Sequence, residues 1–333
     1  MFAPLPRALV HAARRRASWT TPAHSRARGG PSDGARAATG ARRAANVSRA
    51  LRLSIEDAPW AAREIVHADA FDGVVVPDLR RRDAEHGAGD RDRWRARDGT
   101  TRTTSTSASG GTTEAVARAI ALVAMGGTNP SILCVSGDGG AIDSSAEVLG
   151  RLREARARGT LPRETTLLAA ANPMLGATEA ERVMRKRESG ADGIITQPAL
   201  LLGRFERWWE ACERLGAFDG LGESARESGA AKGLILGVAP IRDVRGLELW
   251  FKLTDVDGDA DADARALRDE YAANAASMSP ERFDDWTFER FELATTHAAS
   301  LDHVAGVHVM PITPGGYAHA ARLARDVLPM FRR

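Results

Sequence analysis

One complete helix–strand unit stands between Thr178 and Gln197, and it restricts the fold more than any other stretch of the chain. Thr178 and Glu181 have capping-box spacing, which predicts a helix start there. Ala180, Val183 and Met184 give that helix one apolar face. Gly190 stands where the chain must leave the helix in a left-handed conformation. A short apolar strand over 193–196 follows and closes on a polar amide, Gln197. A helix feeding a buried strand that ends in a polar side chain is the building unit of an α/β barrel.

The unit recurs. Apolar or β-prone stretches lie at 51–55, 71–76, 101–107, 132–135, 166–170, 193–196, 234–238 and 306–310. The stretch 101–107 is the most polar of them. Helical patterns over 60–68, 114–125, 144–158, 202–215, 243–253, 280–300 and 317–327 separate them or follow them. Strands alternating with helices imply a parallel sheet, and eight such units close into a barrel. The expected fold is α/β, a (β/α)8 TIM barrel forming a single domain over 50–333. An open doubly wound sheet is the alternative. It would use fewer strands and usually an early glycine-rich dinucleotide turn, and no such turn is seen.

Charge divides the chain in two. Residues 1–50 carry ten Arg, no Lys and one acid, Asp33, which leaves 36 basic against 43 acidic residues in the remainder. A net-acidic body argues against a nucleic-acid partner, and no apolar run is long enough to span a membrane. The Ala-, Arg- and Ser-rich, acid-poor segment 1–49 has the composition of a transit peptide for chloroplast or mitochondrion. A disordered basic extension on a cytoplasmic protein is the other reading. Cys134 and Cys212 support no disulfide framework and are expected as buried thiols.

Barrel enzymes carry their chemistry where strands end. Those positions hold Glu56, Asp78, Asp138, Asn172, Gln197, Arg242 and Thr313. Any one of them serves equally as an ordinary loop opener. Taken together, two carboxylates (Glu56 and Asp138) and the amide Gln197 at the rim of an apolar barrel suit general acid chemistry on a polar heterocycle. The glycine cluster Gly137-Asp138-Gly139-Gly140 is a weak phosphate-loop pattern. The alternating acids Asp255 to Asp263 hint at a calcium loop, but Ala264 occupies the place that demands glycine, so a solvated acidic loop is expected. His297, His303 and His308 lack metal-ligand spacing, and no metal is expected. Trp208 and Trp209 lie on one helical stretch, so at least one is expected in the core, and Lys186 suits a helix C-terminus, where it would complement the dipole.

Lys186, Gly190-Ala191-Asp192 and Ile195-Thr196-Gln197 together resemble the core signature of the methylenetetrahydrofolate reductase family. Further matches fall in order: Glu56, Gly137-Asp138, Ala170 with Asn172-Pro173, and Gly237-Val238-Ala239-Pro240-Ile241. The likeness is firm from Ile132 to Trp250 and extends over the rest of the barrel in topology. It implies an FAD-linked barrel that uses NAD(P)H to reduce 5,10-methylenetetrahydrofolate to 5-methyltetrahydrofolate. By resemblance Glu56 is the general acid and Asp138 the carboxylate beside the flavin. Ala170, Asn172 and Lys186 match flavin contacts, and Gln197 matches the amide that orients the folate. Members of this family often self-associate. The chain departs from the family pattern near Thr104 and at Asp78, Ser136 and Asn172, all on the flavin side. A flavin-free folate reductase and a catalytically silent folate-binding or accessory barrel therefore stay open.

Overall fold

The computed structural model describes residues 52–56, 73–76, 101–107, most of 115–123, 131–135, 144–221 and 233–327. The expected helix over 60–68, the segment 1–49, Asp78 and the loop holding Asp138 lie outside the described residues. The strands are β1 (Arg52–Glu56), β2 (Gly73–Val76), β3 (Thr101–Ser107), β4 (Ser131–Val135), β5 (Thr166–Ala171), β6 (Gly193–Pro198), β7 (Leu234–Val238) and β8 (Val304–Val309). All pair in parallel in sequence order, and β8 pairs back to β1, closing the ring. Polar β3 pairs on both sides, so neighbours rather than hydrophobicity hold it in the sheet.

The described helices are α1 (Ser144–Ala157), α2 (Ala177–Glu188), α3 (Leu202–Leu215), α4 (Val244–Leu253), α5 (Ala262–Ser277), α6 (Pro280–Ser300) and α7 (Pro314–Asp326). Of the stretch expected to be helical over 114–125, the described residues are helical, and Ala115 and Ala119 are buried. Ile194 of β6 and Leu234, Leu236 and Val238 of β7 pack outward in one continuous cluster with helix residues such as Phe205, Trp208 and Phe291. Their alternate neighbours turn inward. Leu133, Leu168, Ile195 and Ile235 form a separate apolar layer, one residue from each of four consecutive strands. This alternation is the period-2 rule of strands applied to a closed sheet.

One local expectation is corrected. No capping box starts α2: its N-cap is Gly176, and Thr178 instead donates its hydroxyl to the carbonyl of Leu175. Glu181 is exposed. Gly190 does adopt positive φ, at 111°, and Ala180 and Val183 are buried as the stripe requires. The helix expected after β7 forms as α4, while α6 packs against β7 and β8. α4 and α5 belong to the long β7–β8 connection, and the C-terminal end of α4 meets Asn172 and Gln197 at the ends of β5 and β6. Arg204 of α3 fastens that connection. Its guanidinium donates to Asp261 at 2.5 and 2.9 Å and to the carbonyl of Met174 at 2.8 Å.

Candidate functional site

The inner face of β6 runs Gly193, Ile195, Gln197. Ile195 belongs to the apolar inner layer, so Gln197, two residues on, stands one level higher, at the C-terminal rim. The same count puts Ala170 above Leu168 and Gly237 above Ile235. Gln197 is thus flanked by a methyl group and by a residue with no side chain. Gly237 can be nothing larger, because a Cβ there would collide with the carbonyl of Thr196. Thr196 adds a hydroxyl that accepts the N–H of Gly237 at 2.9 Å. The described part of the rim therefore presents small residues and one amide above an apolar layer.

The polar ends of that amide have different fates. Nε2 of Gln197 donates to the carbonyl of Leu253 at 3.1 Å, at the end of α4. A backbone carbonyl can only accept, so this bond fixes which end is nitrogen. Oε1 is then left buried with no hydrogen-bond partner among the described residues. A buried acceptor without a donor costs about 1–3 kcal/mol. Buried side-chain acceptors are normally met by a donor, so this oxygen calls for one from outside the described residues.

Glu56 closes β1 opposite Val75 of β2. Followed around the ring through the pairs Ser54–His308, His308–Gly237 and Gly237–Pro198, it falls at the C-terminal end shared with Gln197. His308 is fully buried in β8 beside Gly237. Asp138, the second carboxylate expected beside Gln197, lies outside the described residues.

Lys186 is neither a surface group complementing a helix end nor an open contact. It is 7% exposed; its ammonium donates to the carbonyl of Ala170 at 2.7 Å and to Glu179 at 3.2 Å. Glu179, 3% exposed, also accepts the backbone N–H of Asn172 at 3.3 Å and faces Arg182 at 3.4 Å. Asn172 is engaged at both ends of its side chain. Its Oδ1 accepts the N–H of Met174 at 3.0 Å, capping the 3-10 turn Pro173–Leu175, and its Nδ2 donates to the carbonyl of Thr254 at 2.8 Å. Ala170, Asn172 and Lys186, the described positions that match flavin contacts, therefore satisfy one another and their neighbours. None of the three leaves an orphaned polar atom among the described residues.

Glu179 is the residue that sequence reasoning missed. Its signal was present: Glu179, Val183 and Lys186 recur at i, i+4 and i+7, so both charges lie on the buried stripe of α2. Nearby Cys134 is fully buried, and burial pushes its thiol up to about 12 although Lys186 pulls the other way. Cys212 is likewise raised to about 12, chiefly by burial. Both remain thiols, as expected. The acidic run of the β7–β8 connection serves local structure. Asp257 accepts the N–H groups of Asp259 and Ala260, Asp261 caps α5 and pairs with Arg204, and Asp259 pairs with Arg268. No group of three potential metal ligands occurs among the described residues. None of their helices is long and apolar enough to cross a membrane.

The described residues form a closed parallel α/β ring with the Gln197 amide above an apolar layer. No protein-family model and no curated protein matches this sequence. Among solved structures, the chain is similar to an uncharacterized protein from Clostridium thermocellum that binds two copies of 5-methyl-5,6,7,8-tetrahydrofolic acid. The two superpose over 87% of this chain and 98% of that one, with a TM-score of 0.52 and 11% identity, a likeness of fold.

Proposed function

We propose that this (β/α)8 barrel binds a reduced folate at its C-terminal rim and reduces 5,10-methylenetetrahydrofolate to 5-methyltetrahydrofolate with NAD(P)H. The unpartnered Oε1 of Gln197 carries the reading. A pterin ring is flat, with N–H donors on its edge. It suits a floor of Leu168, Ile195 and Ile235 with an acceptor at the side. The folate-binding neighbour of the same fold supports this substrate class.

In the reaction, Glu56 protonates N10 of the folate and the N10–methylene bond breaks, leaving an iminium at N5. A hydride from the nicotinamide adds to the methylene carbon, giving the N5-methyl product and the oxidised nicotinamide. A carboxyl group can play that part when its environment keeps it protonated near neutral pH. Because the flavin-matching residues are engaged with one another, we favour direct transfer from nicotinamide to folate over transfer through bound FAD. Asp138 would tune the charge near the reacting atoms. The Arg-rich segment 1–49 supports delivery to a chloroplast or mitochondrion.

The test is titration of the purified protein with tetrahydrofolate and 5-methyltetrahydrofolate, with turnover of methylenetetrahydrofolate and NAD(P)H followed without added flavin. Saturable binding weakened about tenfold in Gln197→Leu is expected, the size of one buried hydrogen bond. Turnover lost in Glu56→Gln is expected as well. Wild-type protein that binds neither folate would refute the reading. Binding without turnover would leave a folate-binding barrel and remove the reduction. A flavin spectrum bleached by NAD(P)H would overturn direct transfer.

A further inference from the structure

We infer that Asn172 is a positioning residue for Gln197, acting through the C-terminal end of α4. This inference rests on Gln197 as the ligand-facing acceptor.

The last carbonyls of a helix lack partners within it. At the end of α4 two of them are met by side-chain amides from the sheet. Asn172, just past β5, donates to Thr254 O at 2.8 Å, and Gln197, in β6, donates to Leu253 O at 3.1 Å. The two carbonyls are adjacent in sequence, while the amides come from 82 and 56 residues away. Thr254 itself is fully buried and closes the helix with its hydroxyl on the carbonyl of Trp250 at 2.8 Å. Asn172 is rigid in turn, because its Oδ1 caps the turn at Met174 and its own N–H is held by Glu179. The fixed amide thus pins Thr254. Thr254 fixes the neighbouring Leu253 carbonyl, and that carbonyl takes the NH2 of Gln197. Only one rotamer sense of Gln197 satisfies this bond, and it is the one that leaves Oε1 free for a ligand donor. Without the anchor the amide can turn over, presenting a donor where the ligand needs an acceptor.

The chain makes this testable without any ligand, because Gln197 is its only glutamine. Protein labelled with side-chain 15N-glutamine gives one NH2 resonance pair. In the wild type one proton of that pair should be shifted and protected by Leu253 O. In Asn172→Asp, which keeps the cap on Met174 but sets an oxygen against Thr254 O, protection should fall at least severalfold. Asn172→Ala, which adds no charge, should do the same and serves if the aspartate variant folds poorly. In folate titrations Asn172→Asp should weaken binding about tenfold, and the double variant with Gln197→Leu should bind no worse than Gln197→Leu alone. Unchanged Gln197 protection, or two weakenings that multiply to about a hundredfold, would overturn the inference. Wild-type protein that binds no folate but loses protection in Asn172→Asp would refute the ligand reading and leave the positioning intact.

Discussion

Lys186 shows how far a motif residue can be read before its surroundings are seen. The resemblance made Lys186 a flavin contact, and its position alone made it a complement to the helix end. Its partner Glu179 was not legible, because an acid in the first turn of a helix is usually explained by the dipole. In the fold both charges are withdrawn from water, with side-chain exposures of 9% and 4%. A buried pair is weak evidence of net stabilisation, but removing one member leaves an uncompensated charge. Lys186→Met is therefore expected to cost about 3–5 kcal/mol in urea unfolding. Adding Glu179→Gln should recover most of it, since the glutamine oxygen can still accept the N–H of Asn172. A loss below about 1 kcal/mol for the single variant would show that Lys186 is not held by Glu179 and is free to meet a ligand.

At the scale of elements, strands were legible where the chain writes apolar runs, and Gln197 was legible because such a run ends on it. Longer-range relations were not. Nothing local in Leu253 or Thr254 signals that their carbonyls receive amides from β5 and β6. Nothing in the pattern of α4, the helix directly after β7, signals that α6, two helices further on, is the one that packs against that strand. Gly237 is the point where this scale can be probed. The β6–β7 register shifts between Ile195 and Pro198, and Gly237 packs directly on the Thr196 carbonyl at that shift. Gly237→Ala forces backbone against Cβ, an overpacking that typically costs about 1–3 kcal/mol. The expected result is a lower urea midpoint with an unchanged slope, together with weaker folate binding, since Gln197 sits on the displaced strand. A variant as stable as wild type would mean that β6 and β7 can separate there without penalty.

For the whole molecule the central constraint is ring closure, and alternation with eight strands made a closed sheet readable from the sequence. The bonds that fasten the last elements to the ring were not readable, since they join β7, α6 and α7 across 32 to 42 residues. Arg242, just past β7, pairs with Asp284 of α6; His319 of α7 meets Thr287 of α6 at 3.0 Å and lies 4.0 Å from Asp284. Arg322 stacks on Phe288 and pairs with Asp285 at 2.9 Å. His319 is 1% exposed, and its pKa is lowered to about 4. Burial is the largest cause, aided by Arg242 and Arg322 and opposed by Asp284 and Asp285. The sign of the linkage follows from proton counts. Between the ordinary value of 6.5 and about 4, the unfolded chain holds a proton on this ring and the folded one does not. Stability therefore falls as pH drops through that window, by up to about 3 kcal/mol at 1.36 kcal/mol per pH unit. Below about 4 the folded ring is also protonated, and this contribution stops changing. Urea unfolding at pH 7, 5.5 and 4 should show the decline, and His319→Gln, which keeps a partner for Thr287, should flatten it. An equal pH slope in that variant would assign the acid sensitivity to another group and leave the α6–α7 seam without a part in it.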